Sequence, residues 1–187
     1  SANSPWNLVT GIAANLNISC FAIDPNDPQT FYLGTGEQYT SGASVGNGVY
    51  KSTDGGVTWA SVNINAAGGG NLNGSNAIFS SGLFFVNDIA VRNVAGSSEL
   101  YVGVGAAIYY SPNFNISNPT NVLGAQSAGL YRSTDNGNNW ARIENPSMSY
   151  SFSGQTFYVI PNDFEIGADN TLYFGSISTP GANQGGG

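Results

Sequence analysis

Apolar residues alternate with polar or small ones in three short stretches, at Phe21 and Ile23, at Ile89 and Val91, and at Phe164 and Ile166. A period of two marks a strand with one face on a core. A second apolar run follows each at a nearly fixed distance: Phe31-Tyr32-Leu33-Gly34, Leu100-Tyr101-Val102-Gly103 and Leu172-Tyr173-Phe174-Gly175. Turn-forming links such as Asp24-Pro25-Asn26-Asp27-Pro28 and Ala168-Asp169-Asn170 separate the two runs, which predicts three hairpins. After the first two hairpins a third strand is predicted at Val49-Tyr50 and Leu130-Tyr131, and a fourth from Trp59 to Val62 and from Trp140 to Ile143. The opening Trp6-Asn7-Leu8-Val9 matches that fourth strand.

Between the third and fourth strands the chain repeats itself almost letter for letter. Ser52-Thr53-Asp54-Gly55-Gly56-Val57-Thr58-Trp59 and Ser133-Thr134-Asp135-Asn136-Gly137-Asn138-Asn139-Trp140 both read Ser-x-Asp-x-Gly-x-x-Trp. This spacing resembles the Asp-box, or BNR repeat, of β-propellers such as secreted bacterial WD40/YVTN/BNR-like repeat proteins and sortilin- and xyloglucanase-type propellers. In such a hairpin the Asp and Gly serve a turn that needs a side-chain-to-backbone hydrogen bond and a permissive backbone. Ser52, Asp54, Gly56, Trp59, Ser133, Asp135, Gly137 and Trp140 are therefore read as structural. Four antiparallel strands per unit is the blade of a propeller. The predicted fold is an all-β propeller portion, a fragment of a larger propeller. Residues 1–16 hold the last strand of a preceding blade and a linker, 17–63 and 84–144 are blades, and 158–187 is the first half of a further blade. The expected partners include the remaining blades or flanking domains of the same polypeptide.

Antiparallel connectivity puts the links between second and third strands, and those between blades, on one rim. These are the long links, 37–47, 63–83, 106–128 and 144–158, and they carry aromatic residues among many Gly, Ser and Asn. Rigid rings beside adaptable hydrogen-bonders suit recognition, and Tyr109, Tyr110, Phe114 and Glu37 are the candidate ligand-binding residues. Glu37, in the run Gly34-Thr35-Gly36-Glu37, has the chemistry of a general acid, a sugar ligand or a calcium ligand. Asn87-Asp88 and Asn162-Asp163 recur just before the innermost strands, where the first copy has Ser19-Cys20. Hydrolysis of a glycosidic bond takes two carboxyl groups at a set separation, and Glu37, Asp88 and Asp163 are the eligible acids. Packing of loops and repeats is the plainer role for all of them.

Composition narrows the classes. The 187 residues include 4 Lys and Arg against 11 Asp and Glu, a net charge of −7, which excludes a nucleic-acid footprint. With no His and one Cys, neither a zinc site nor an internal disulfide is expected, and no cofactor is called for. No run approaches the roughly 18 apolar residues of a membrane span. Scarce Lys with abundant Asn, Gly and Tyr suits an extracellular or bacterial cell-surface protein. The resemblance to BNR-repeat proteins of Bacteroidetes-type bacteria implies export with a separate C-terminal sorting domain, by the type IX route. The function placed first is a binding module for glycan or protein. The alternatives are a xyloglucanase-like glycoside hydrolase with acids partly on other blades, and a non-catalytic scaffold.

Overall fold

A computed structural model describes residues 7–14, 16–36, 46–62, 64, 84–106, 128–152 and 155–177. The described elements are antiparallel strands with one short 3-10 turn. Strands β1 (Ile18–Asp24), β2 (Asp27–Thr35), β3 (Val49–Ser52) and β4 (Ala60–Val62) form one sheet in chain order. The same order recurs in β5 (Phe84–Val94), β6 (Ser97–Ala106), β7 (Gly129–Ser133) and β8 (Ala141–Arg142). A small hairpin, β9 (Ser149–Phe152) with β10 (Gln155–Tyr158), precedes a two-stranded sheet of β11 (Ile160–Ile166) and β12 (Leu172–Ile177).

The sheets stack face to face, β5 lying between β1 and β11. This is the blade-on-blade arrangement of a β-propeller portion, with the first strand of each sheet innermost. Alternation along the strands explains why it holds. Leu100, Val102 and Val104 on β6 and Ile89 and Val91 on β5 point toward the first sheet, where they bury against Tyr32, Val49 and Val62. Ala90, Tyr101 and Leu130 point the other way and meet Phe164, Ile166, Leu172 and Phe174 of the third sheet. A side chain of this kind contributes about 1.5–3 kcal/mol when fully buried. A one-residue slip in β6 would therefore exchange the residues of the two interfaces.

Turn chemistry fixes the register. The β1–β2 turn is held by Asn26 N–H on Asp24 Oδ1 at 2.9 Å, and the β5–β6 turn by Gly96 N–H on Asn93 Oδ1 at 2.8 Å. Ala95 and Gly96 take φ of 51° and 87°, the left-handed pair of a two-residue hairpin.

Three expectations need correction. Of the strand expected at Trp6–Val9, the described residues Asn7–Val9 are irregular. Only Thr10 pairs, in a single parallel bridge to Thr58, with Trp59 N–H on Thr10 O at 2.9 Å. Leu8 and Val9 are exposed. The link 144–158, expected as a loop, contains a 3-10 turn at Pro146–Met148 and the β9–β10 hairpin. Ser149-Tyr150-Ser151-Phe152 and Gln155-Thr156-Phe157-Tyr158 alternate polar and aromatic residues around Ser153-Gly154, a hairpin signal that the loop reading passed over. Finally, Asn87-Asp88 and Asn162-Asp163 lie within the innermost strands rather than before them.

Candidate functional site

Each innermost strand has a register irregularity at the same place, between Ile18 and Cys20, between Val86 and Asp88, and between Pro161 and Asp163. The extra residues are Ser19, Asn87 and Asn162, and the next residues, Cys20, Asp88 and Asp163, stand opposite Gly34, Gly103 and Gly175. A bulge re-aims the side chains around it. Here it aims them across to the next sheet. Ser19 Oγ donates to Val86 O, and Asn87 Nδ2 donates to Pro161 O at 2.9 Å. The bulge residue thus staples each inner strand to the one after it.

Asp88 extends the staple. Its Oδ1 accepts from Ile89 N–H at 2.8 Å and its Oδ2 from Phe164 N–H at 2.6 Å, across the two sheets. Burial raises its pKa above the ordinary carboxylate value against the pull of those two donors, and the nearby charge of Asp163 raises it further. Asp163 itself is exposed. The fold therefore brings two of the three sequence-predicted acids together, one half-buried and inclined to hold a proton, the other open to solvent. A pair of carboxyl groups in unlike settings is the arrangement that acid–base chemistry uses. Cys20, the third member of the series, has its thiol pushed up to about 12, chiefly by burial, so it is no nucleophile at neutral pH. Glu37, Tyr109, Tyr110 and Phe114 lie outside the described residues.

The two Ser-x-Asp-x-Gly-x-x-Trp hairpins occupy the opposite rim and are built alike. Ser52 Oγ donates to Asp54 Oδ1 at 2.8 Å and accepts from Gly56 N–H at 2.9 Å. Asp54 Oδ1 also accepts from Thr58 N–H at 2.9 Å, and Oδ2 from Thr58 Oγ1 at 2.6 Å. In the second hairpin Ser133, Asp135, Gly137 and Asn139 repeat the pattern, with Asn139 Nδ2 in place of the threonine hydroxyl at 2.6 Å. Gly55 and Gly56 have φ of 72° and 89°, and Asn136 and Gly137 of 60° and 85°, so the turn demands residues that tolerate the left-handed region. Both Asp54 and Asp135 are held at about 2, foremost by the side-chain donors Thr58 and Asn139. Trp59 and Trp140 each donate Nε1–H to the carbonyl of the box glycine at 2.9 Å. Trp140 packs on the core between the first two sheets. The Ser and Asp side chains of each box are spent on their own turn, while the backbone also bonds outward, Gly55 N–H donating to Gln29 O at 2.9 Å and Asn136 O accepting from Lys51 Nζ at 2.9 Å. Grooves of about 400 and 430 Å³ run along this rim at equivalent places, beside Lys51 and Trp59 and beside Arg132 and Trp140, away from the bulges.

One cluster was not foreseen. Glu99 is buried on β6 and takes hydrogen bonds from Arg92 Nη2 at 2.9 Å, Arg132 Nη2 at 2.7 Å and the Tyr101 hydroxyl. Strand register puts Arg92 opposite Glu99 and Arg132 opposite Tyr101. Arg92 Nη1 reaches on to Asn170 O at 2.9 Å, so the cluster ties the second sheet to the turn of the third. An acid at an inward strand position two residues before Tyr101 was the available signal. Among the described residues no group of three His, Cys, Asp or Glu could hold a metal ion, and no helix is long and apolar enough to cross a membrane.

No family model matches the sequence. The chain is 27% identical over 170 residues to a xyloglucanase of Acetivibrio thermocellus, covering 89% of this chain and 16% of that protein. It is 37% identical over 84 residues to a xyloglucanase of Hypocrea jecorina, covering 41% of this chain and 10% of that one. The chain thus spans about a sixth of the length of the first of these relatives. Similar solved structures are a GH74 xyloglucanase of Xanthomonas campestris, at 20% identity and TM-score 0.43 over 94% of this chain and 20% of that one, and a GH74 enzyme of Niastella koreensis, at 18% and 0.41 over 91% and 27%.

Proposed function

We propose that this chain is part of a secreted, carbohydrate-active β-propeller of the Asp-box kind that hydrolyses a xyloglucan-like polysaccharide. The observation that carries the reading is the likeness to a xyloglucanase, which runs along 89% of the chain rather than through the box motifs alone. It favours the hydrolase alternative over the binding module placed first from the sequence. In this reading Asp88 is the general acid, because burial lets it keep a proton to higher pH than an ordinary aspartate. Two backbone N–H groups fix its carboxyl orientation. Asp163, solvent-exposed and close enough to act on Asp88, is the carboxylate that activates water or attacks the sugar. The separation of the two in the sugar-bound protein decides between inversion and retention. Glu37 is the further acid candidate, and the long-link aromatics Tyr109, Tyr110 and Phe114 supply stacking platforms for the sugar rings.

The test is reducing-sugar release from xyloglucan by the polypeptide that carries this segment, with Asp88→Asn and Asp163→Asn variants. Loss of turnover by about 100-fold or more in Asp163→Asn, with an unchanged melting temperature, supports the assignment. Full turnover in both folded variants removes these acids from the chemistry. Xyloglucan retained on an affinity gel without turnover by the unmodified protein returns the reading to a binding module.

A further inference from the structure

The first two sheets have three equivalent positions near their β1–β2 and β5–β6 turns and fill them differently. Counted from the equivalent pairs Cys20–Gly34 and Asp88–Gly103, Asp24 corresponds to Arg92 and Thr30 to Glu99. Lys51 and Arg132 stand opposite the equivalent tyrosines, Tyr32 and Tyr101. In the second sheet these positions hold the Arg92–Glu99–Arg132 cluster, whose long side chains bond one another and reach the next turn at Asn170. In the first sheet two of the three side chains are short. A cavity of about 370 Å³ opens there, among Asp24, Asp27, Thr30, Lys51, Ser98 and Asn136. Gly96 of the facing turn also borders it, and a Cβ on Gly96 would meet nothing within 4 Å, so the second sheet leaves the space open.

The charged groups around this cavity are not paired with one another. Asp24 is 4% exposed, and its Oδ1 accepts from Asn26 N–H at 2.9 Å and from the Ser98 hydroxyl. Among the described residues no donor reaches its Oδ2. A carboxylate oxygen buried without a partner costs stability, so a donor from outside the chain has a place here. Asp27 accepts from Gln29 N–H at 3.1 Å and from Thr30 Oγ1 at 2.8 Å, which leaves acceptor capacity on both oxygens. Lys51 Nζ donates to Asn136 O at 2.9 Å and forms no salt bridge among the described residues, so two of its three N–H donors remain. Lys51, Thr53 and Asn136 line the groove of about 400 Å³ beside Trp59 as well, so the two cavities adjoin.

We infer that this pair of cavities binds a neutral oligosaccharide, at a site separate from Asp88 and Asp163. A sugar hydroxyl both donates and accepts, so one ring can donate to Asp24 Oδ2 and to Asp27 and accept from Lys51 Nζ. The adjoining ring lies in the groove lined by Trp59, Thr58, Ser61 and Asn138, where an aromatic surface is flanked by hydroxyls and an amide. Both cavities are of the size of small-molecule sites, roughly 300–1,000 Å³. A divalent cation suits the place less well, because the Lys51 ammonium repels it and already occupies the Asn136 carbonyl. An anion meets the two carboxylates. The site is on the rim of the boxes, away from the bulges, and so holds a polysaccharide without taking part in its cleavage. It depends on the residues of the cavities alone; only xyloglucan as the first probe rests on the proposed hydrolysis.

The test is affinity electrophoresis of the polypeptide that carries this segment, in gels containing xyloglucan, mixed-linkage β-glucan or arabinoxylan. Lys51→Met and Asp27→Asn are compared with Asp169→Asn. Asp169 makes the same two kinds of bond at the third turn, to Thr171 N–H at 3.0 Å and Thr171 Oγ1 at 2.9 Å, and lies outside the cavity. Retention should weaken about tenfold in Lys51→Met and in Asp27→Asn, the worth of one hydrogen bond to a charged group, and stay unchanged in Asp169→Asn. Turnover of a short soluble xyloglucan oligosaccharide should be the same in all three. The same variant pattern on β-glucan or arabinoxylan but not on xyloglucan keeps the site and removes xyloglucan as the substrate. Equal retention of Asp27→Asn and Asp169→Asn, or no retention on any of the three polysaccharides, overturns the inference. So does a melting temperature that calcium chloride raises in the unmodified protein and not in Asp27→Asn, since the cavity is then a cation site.

Discussion

Replacing Glu99 by Gln removes one negative charge and keeps the shape. In the native protein the carboxylate is 7% exposed and meets two guanidinium groups and a tyrosine hydroxyl. Burial pushes its pKa up, but the hydrogen bonds from Arg132, Tyr101 and Arg92 outweigh burial and hold it at about 2, against 4.5 for an ordinary glutamate. A difference of roughly 2.5 units corresponds to about 3 kcal/mol of native-state preference for the charged form. Arg132 is 43% exposed, so solvent screens part of this, and about 2 kcal/mol is the expected loss at neutral pH. For a folding unit of 187 residues that is a fall in melting temperature of about 6 °C. The sign with pH follows from a depressed folded pKa. The stabilisation is complete above the unfolded value near 4.5 and is lost as pH falls through about 2. Thermal unfolding followed by circular dichroism from pH 7 to pH 2 should show the gap between native protein and Glu99→Gln closing below pH 4.5. Equal melting temperatures at pH 7, or a gap undiminished at pH 2, would refute the assignment of Glu99 as the charge that joins the second sheet to the third.

Two further outcomes follow from the same geometry. Gly103→Ala sets a Cβ 2.8 Å from the Pro161 carbonyl, and since backbone yields less readily than a side chain, calorimetry should show a loss of about 1–3 kcal/mol. Asp135→Ala strips the acceptor from Asn139 and Ser133 in the second box, so the melting temperature falls while specific activity in the surviving folded fraction stays the same. Selective loss of ligand handling at unaltered melting temperature would make the box a functional site instead.

Much of the fold is local and therefore legible in the chain itself. Phe21 and Ile23, Ile89 and Val91, and Phe164 and Ile166 show their strands because alternation is a backbone property, and Asp54 and Asp135 show their hairpins because a side chain reaches only its own turn. The all-β, blade-like architecture was read from those signals together with the resemblance of the two boxes to Asp-box propellers. Where each side chain ends up across a sheet or between sheets was not legible. Glu99 meets Arg132 across 33 residues of sequence, and Asp88 meets the Phe164 amide across 76. Nothing in the neighbours of Glu99 or Asp88 along the chain encodes such partners.

The sequence by itself determined the strands of the two four-stranded sheets and of the β11–β12 pair, the turns that join them and that the units repeat, since each follows from interactions within a few residues or across one hairpin. Only the tertiary structure decided that the bulges at Ser19 and Asn87 staple one inner strand to the next, that Asp88 is half-buried beside an exposed Asp163, and that Phe21, Ile23 and Tyr173 stand uncovered where their equivalents are buried. Burial and charge environment depend on what stacks on a sheet, and a residue's own sequence neighbours do not carry that information.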